Sequence, residues 1–242
     1  MNLVIDIGNT RCKWAIFDKR NLIVQDTAKT FDLHLLGQII ASHEGIDQAI
    51  LSSVREFPKE CRDTLAEHTD YFIELTHQTP TPIVNRYKTP QTLGLDRLAA
   101  AVGASISFPG TPLLVIDAGT AITIDFVSAS NEFMGGNISP GIETRFRALN
   151  HFTGQLPLVD LKSEFVGLGV DTISAIRAGV QKGVIFEIES YIKEYKEKYT
   201  ELTTVLTGGH CQFIAQHLQA PVQLIDDLTL KGLLEILLFN AG

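Results

Sequence analysis

The hydrophobic positions of this chain recur at two periods, and the periods change at regular intervals. Residues 3–6, 12–17 and 22–28 show the short apolar runs and period-two alternation of strands. The first two are joined by Gly8-Asn9-Thr10 and the next by Asp18-Lys19-Arg20-Asn21. Leu33, Leu36, Ile39 and Ile40 then fall at helical spacing and predict a helix over 31–42. Ala49 to Val54 is read as a strand, Pro58 to Thr69 as a helix with proline in its first turn, and Tyr71 to Leu75 as a short strand. His77 to Gln91 contains Pro80, Pro82 and Pro90 and is expected to be a surface loop. Asp96 to Ser107, rich in alanine and leucine, is expected to be a helix stopped by Pro109-Gly110.

The second half repeats this order. Strands are expected near 113–117, 121–127 and 132–137, then a helix after Pro140 and a longer one from Thr172 to Tyr199, softened near Gly179 and Gly183. Val205-Leu206 ends a strand at Thr207-Gly208-Gly209, and a helix reaches Leu218. A last strand covers Val222 to Ile225 and a last helix Leu230 to Phe239. Both halves open with one device: Leu3-Val4-Ile5-Asp6-Ile7-Gly8 and Leu114-Val115-Ile116-Asp117-Ala118-Gly119-Thr120. In each, a buried strand ends on a carboxylate beside a glycine, where a ligand can approach bare backbone. The reading is therefore an α/β fold of two tandem βββαβα units, residues 1–110 and 111–242, with a cleft between them and a hinge between Phe108 and Thr111. Such a tandem resembles the sugar kinase and actin-like ATPase superfamily, whose halves are ribonuclease H-like.

Composition narrows the function. Of the 242 residues 45% are hydrophobic and 20% charged, mean hydropathy is +0.12, net charge is −8 and pI is about 5.3. That balance argues against a nucleic-acid partner, although an anionic ligand needs only local amides and a cation or two. No apolar run approaches the ~18 uncharged residues of a membrane helix, and no basic leader precedes the first strand. Cys12, Cys61 and Cys211 are odd in number and without CxxC spacing, which suits a reducing compartment. A cytoplasmic protein is expected.

The chemistry-bearing residues cluster at the turns. Asp6-Ile7-Gly8-Asn9-Thr10-Arg11-Cys12-Lys13 combines a carboxylate, a bare turn, small hydrogen-bonding side chains and cations, the set a phosphate tail requires. A turn whose Asp and Asn bond only their own backbone would use similar residues; the echo at Asp117 favours phosphate. Asp6 suits a magnesium ion that keeps most of its waters. Gly94-Leu95-Asp96-Arg97 sets an acid and a base at a helix start, where Asp96 either complements the helix dipole as an ordinary first-turn acid or accepts the proton of an alcohol. Phe133-Met134-Gly135-Gly136-Asn137-Ile138-Ser139-Pro140-Gly141 is expected to end its strand at the glycine pair and open a helix at proline, a junction that exposes amides to an anion or equally forms a close-packed corner. Thr207-Gly208-Gly209-His210 suits the face of an adenine or a ribose. The histidines show no metal spacing, and neither a P-loop nor a Gly-x-Ser-x-Gly elbow occurs.

With these blocks assembled, the chain resembles the type III pantothenate kinases over nearly its whole length. The resemblance rests on Asp6-Ile7-Gly8-Asn9-Thr10 with Lys13, on Gly94-Leu95-Asp96-Arg97 after Tyr87 and Pro90, on Asp117-Ala118-Gly119-Thr120-Ala121 and on Gly135-Gly136-Asn137-Ile138-Ser139-Pro140-Gly141. It implies an ATP site at Asp6, Ile7, Gly8, Asn9, Thr10, Arg11, Lys13 and Thr120. Pantothenate contacts are implied at Tyr87, Gly94, Leu95, Asp96, Arg97 and Thr172, with Asp96 as proton acceptor. Asp117 is implied as a ligand of a monovalent cation, potassium or ammonium. The family's members are homodimers with a pocket completed across the interface, and the apolar face of Ile173, Ile176, Val180 and Val184 is expected to form that interface, although its periodicity fits an internal core helix nearly as well. The implied activity is ATP-dependent phosphorylation of pantothenate towards coenzyme A. Its rivals are another kinase of a sugar or small acid and a non-catalytic nucleotide-binding transcription co-regulator.

Overall fold

Strand β1 (Asn2–Ile7) is apolar at almost every position because both of its faces are covered. In the computed structural model, which describes residues 1–161, 164–165 and 167–242, it is the central strand of a five-stranded sheet. Its neighbours are β2 (Cys12–Asp18), antiparallel, and β4 (Gln48–Ser53), parallel; β3 (Asn21–Ala28) and β5 (Tyr71–Glu74) form the edges. Alternation sorts the side chains. Leu3, Ile5, Trp14 and Ile16 pack on one face against Leu36 and Ile39 of α1 (Leu33–Ser42) and Cys61 and Leu65 of α2 (Lys59–His68). Asp32 caps α1 by accepting the Leu35 amide at 2.9 Å.

The other face of this sheet receives α3 (Leu95–Ser107) and the last helix, α7 (Leu228–Ala241). The two helices cross at small residues. A Cβ on Gly103 would lie 2.5 Å from the Leu228 carbonyl oxygen, and one on Gly232 would overlap that of Ala99. This packing gathers residues 1–109, 131–133 and 227–242 into one unit, and 110–130 with 134–226 into a second. The last helix thus packs with the first half of the chain, where the division at residues 110 and 111 had grouped it with the second.

The second unit is built on β7 (Leu113–Ala118), antiparallel to β8 (Ala121–Val127) and parallel to β10 (Thr203–Thr207), with β11 (Gln223–Leu224) beyond. Beside β8 runs β9 (Glu132–Pro140), whose first two residues count with the first unit and pair there with β6 (Val84–Asn85). The order β3-β2-β1-β4-β5 is therefore repeated as β9-β8-β7-β10-β11, the duplication expected from the two acidic hairpins. A core of Leu114, Ile116, Ile124 and Leu206 packs against α4 (Ile142–Phe152), α5 (Thr172–Lys198) and α6 (Cys211–His217).

Three local expectations change. Gly135-Gly136 does not end β9, which runs on to Pro140. A side chain at Gly136 would overlap the Ile124 carbonyl and the Asp125 carboxylate, so the glycine admits the neighbouring strand instead of breaking its own. Helix α5 is continuous through Gly179 and Gly183. Of the four residues expected at a dimer interface, Ile176, Val180 and Val184 are buried in the core of their own unit, whereas Ile173 is 49% exposed. Among the described residues no helix is long and apolar enough to cross a membrane.

Candidate functional site

In the first unit, the antiparallel register sets Asp6 opposite Lys13 and Ile7 opposite Cys12. The connecting turn is closed by the Gly8 amide donating to the Arg11 carbonyl at 3.0 Å, while Asn9, Thr10 and Arg11 are exposed at its tip. Asp6 is half-buried at the foot of the turn. Lys13 reaches the carboxylate of Asp227, with Nζ 2.9 Å from Oδ1. Sequence reading missed Asp227, because nothing in a linear pattern joins residue 13 to residue 227. Beside them the Arg55 guanidinium lies 2.9 Å from Cys12 Sγ.

The Gly94-to-Arg97 block opens α3 in the same unit. Asp96 is half-buried and its Oδ1 accepts the Arg97 amide at 2.8 Å, inside the positive end of the helix. Gly94 is the residue before the first turn, and a Cβ there would lie 2.5 Å from Asp96 Oδ1. The glycine therefore gives the carboxylate its room. Leu95 is half-exposed. Arg97 turns inward and is 6% exposed, its guanidinium 5.6 Å from the ring centre of Tyr87 and 5.8 Å from that of Phe133. Two rings holding one cation fix its position more firmly than a solvated pair would. Tyr87 is itself held by its amide, which donates to Asn85 Oδ1 at 2.9 Å. The structure thus brings Tyr87 and Arg97 together and adds Phe133, which the sequence offered only as the start of a glycine block.

In the second unit, Asp117 is half-buried near the end of β7, opposite Thr123 on β8 and Thr207 on β10. The turn beyond it is gripped from two directions. The Gly141 amide and the Thr144 hydroxyl donate to the Thr120 carbonyl at 2.9 and 2.7 Å, and the His210 amide donates to the Ala118 carbonyl at 3.0 Å. Gly208 has φ of +95° and packs against Asp117, where any Cβ would overlap Oδ1. Gly208 thereby gains a second reason to be glycine, which is to let the end of β10 close on the acidic turn, whereas a Cβ on Gly209 would meet nothing. His210 precedes α6, with Nε2 3.7 Å from Glu143 Oε1.

Thr172 is the first residue of α5 and is exposed. Asp171 before it caps the helix, and the Ser174 amide and hydroxyl hold its carboxyl below the usual carboxylate range. Arg145 ties the start of α4 to its surroundings, with Nε donating to the Pro140 carbonyl at 2.7 Å and the guanidinium paired with Glu187 of α5. Among the described residues no three His, Cys, Asp or Glu side chains gather as a metal-binding group.

Known structures share this fold. A Thermus thermophilus ROK hexokinase superposes with a TM-score of 0.51 over 99% of each chain at 13% identity. A Campylobacter jejuni protein described as a Baf family transcriptional activator superposes with a TM-score of 0.64 over 99% of this chain and 98% of its own, at 24% identity. These likenesses concern the fold, and with the repeated strand order they define it as that of the sugar kinase and actin-like ATPase class. At the level of sequence, the profile of type III pantothenate kinases matches residues 2–194. A type III pantothenate kinase of Phocaeicola vulgatus is 45% identical over 240 residues, 99% of each chain. This chain belongs to the type III pantothenate kinase family.

Proposed function

We propose that this kinase transfers the γ-phosphoryl group of ATP to the terminal hydroxyl of pantothenate, giving 4′-phosphopantothenate for coenzyme A synthesis. The observation that carries the reading is Asp96, a carboxylate seated over Gly94 in the first turn of α3, one residue from a guanidinium locked between two rings. Asp96 orients the hydroxyl and takes its proton. Arg97, with Tyr87, Gly94, Leu95 and Thr172, binds pantothenate, the buried cation answering its carboxylate. The turn from Asp6 to Lys13, with Thr120, binds the phosphates of ATP.

Two ions belong to this reading. Magnesium neutralises phosphate charge during transfer; Asp6 would hold it together with the nucleotide and water. Potassium or ammonium would be held by Asp117, whose carboxylate is a hard oxygen ligand half-buried near the end of β7. The free, buried cysteines Cys12, Cys61 and Cys211 support a reducing, cytoplasmic setting. An ADP-release assay tests the substrate: pantothenate should drive ADP formation and a panel of sugars should not, while equal rates with a sugar would overturn the assignment.

Assembly as a homodimer is the second part of the proposal. Phe152, Leu168, Val170 and Phe186 are 81%, 82%, 87% and 60% exposed, large apolar side chains of the second unit that a partner could cover. Thr172, Ala175, Gly179 and Phe186 share an outward face of α5, opposite the buried Val184 and Ile188. A twofold contact along this face would bring Thr172 to a neighbour's site. Light scattering at micromolar concentration should give the mass of a dimer, and Phe186→Asp should shift it towards monomer with loss of activity. A fully active monomer would contradict the proposal.

A further inference from the structure

Asp227 breaks two local rules at once. It is a non-glycine residue in the left-handed region, with φ of +53° and ψ of +37°, where a side chain normally meets its own backbone. It also stands where an aspartate ordinarily caps a helix, at the start of α7, yet its side chain makes no capping hydrogen bond. The carboxylate is directed instead at Lys13, 2.9 Å away and largely shielded, with 19% of the Asp227 side chain exposed. Departures of this kind concentrate where function overrides local preference.

The helix behind Asp227 is a firm base. Close packing at Gly103 and Gly232 fixes α7 to α3, and a second ion pair fixes it to the far end of β2. There Arg20, in the turn after β2, makes a two-pronged bond to Glu235 at 2.6 and 2.9 Å. Strand β2 is thus strapped to α7 at both ends, by Lys13–Asp227 beside the Asp6 turn and by Arg20–Glu235 away from it. A lysine head on its four-carbon stem samples many positions unless something holds it. Resting on the proposed role of Lys13 at the nucleotide phosphates, we propose that Asp227 is a positioning residue for phosphoryl transfer. It acts through Lys13, setting the ammonium beside the Asp6–Gly8 turn before ATP arrives.

The two straps provide the control. Asp227→Asn keeps the shape and tolerates left-handed backbone, and Asp227→Gly serves if the first variant folds poorly. In the intact enzyme either should lower kcat/KM for ATP about tenfold, within the range of coupled neighbours, leaving KM for pantothenate near the parent value. Glu235→Gln should lower Tm without changing either constant. Lys13→Met combined with Asp227→Asn should be no worse than Lys13→Met alone. The inference falls if Asp227→Asn keeps the parental kcat/KM for ATP, if both substrates suffer equally, or if the double variant loses the sum of the two effects. A Lys13→Met enzyme with unchanged ATP kinetics would instead remove the nucleotide role of Lys13, and this inference with it.

Discussion

Asp96→Asn is expected to lower turnover by about two orders of magnitude or more, the range for a lost general base, while ATP still binds. The substitution is nearly isosteric. An asparagine oxygen can accept the Arg97 amide as Asp96 Oδ1 does at 2.8 Å, so the first turn of α3 should survive. Gly94 leaves the same room for an amide as for a carboxylate. What is lost is the negative charge that, in the proposed mechanism, orients the pantothenate hydroxyl and takes its proton. Single-turnover kinetics and a nucleotide-binding titration on the same preparation separate the two effects. Turnover within a few-fold of the parent would reduce Asp96 to a helix-start residue and remove the base from the mechanism.

Replacing potassium with sodium or a bulky organic cation, at saturating magnesium, should cost an order of magnitude or more in rate, roughly what an electrostatic partner in a closed site supplies. The reason is charge. ATP and the carboxylate of pantothenate bring negative charge to a protein that already carries a net −8. Asp117 adds another carboxylate, and Gly208 packs directly against it where any side chain would intrude. A large monovalent ion on Asp117 would lower that local potential. Activity should return with potassium or ammonium, and Asp117→Asn should weaken the dependence. Full activity without either ion would make Asp117 a magnesium ligand.

The strands were legible because their periodicity is strong. Leu3-Val4-Ile5 and Leu114-Val115-Ile116 are central strands covered on both faces, and their apolar runs announce this. The repeated acidic hairpin made the duplication visible before the repeated strand order did. Glycines were harder to interpret. In sequence, Gly135-Gly136 looks like a break, yet Gly136 is there to let β8 come close; whether a glycine ends an element or admits a neighbour depends on what stands opposite. The same limit hid the partner of α7. Its apolar residues say that it is buried, but only the fit of Gly232 against Ala99 and Gly103 shows where.

At the candidate site, residues close in sequence were found and those joined only by folding were not. Gly94 to Arg97 could be read as a unit because a helix start concentrates them. Phe133 against Arg97, and Asp227 against Lys13, are long-range pairs with no local signal. The face of α5 was misjudged for a related reason. Periodicity marks Ile176, Val180 and Val184 as one stripe, and a stripe packs equally well against its own core or a second copy. Burial of Val184 removes that stripe from any surface, while Phe186 on another face is exposed.

The central claim is the transfer of phosphate to the terminal hydroxyl of pantothenate, and the product tests it most directly. Purified protein with ATP, magnesium, potassium and pantothenate should form one phosphate ester per ADP, and phosphorus NMR coupled to the adjacent methylene protons should place it on the primary hydroxyl. ADP formed without such an ester, or an ester on the secondary hydroxyl, would contradict the account.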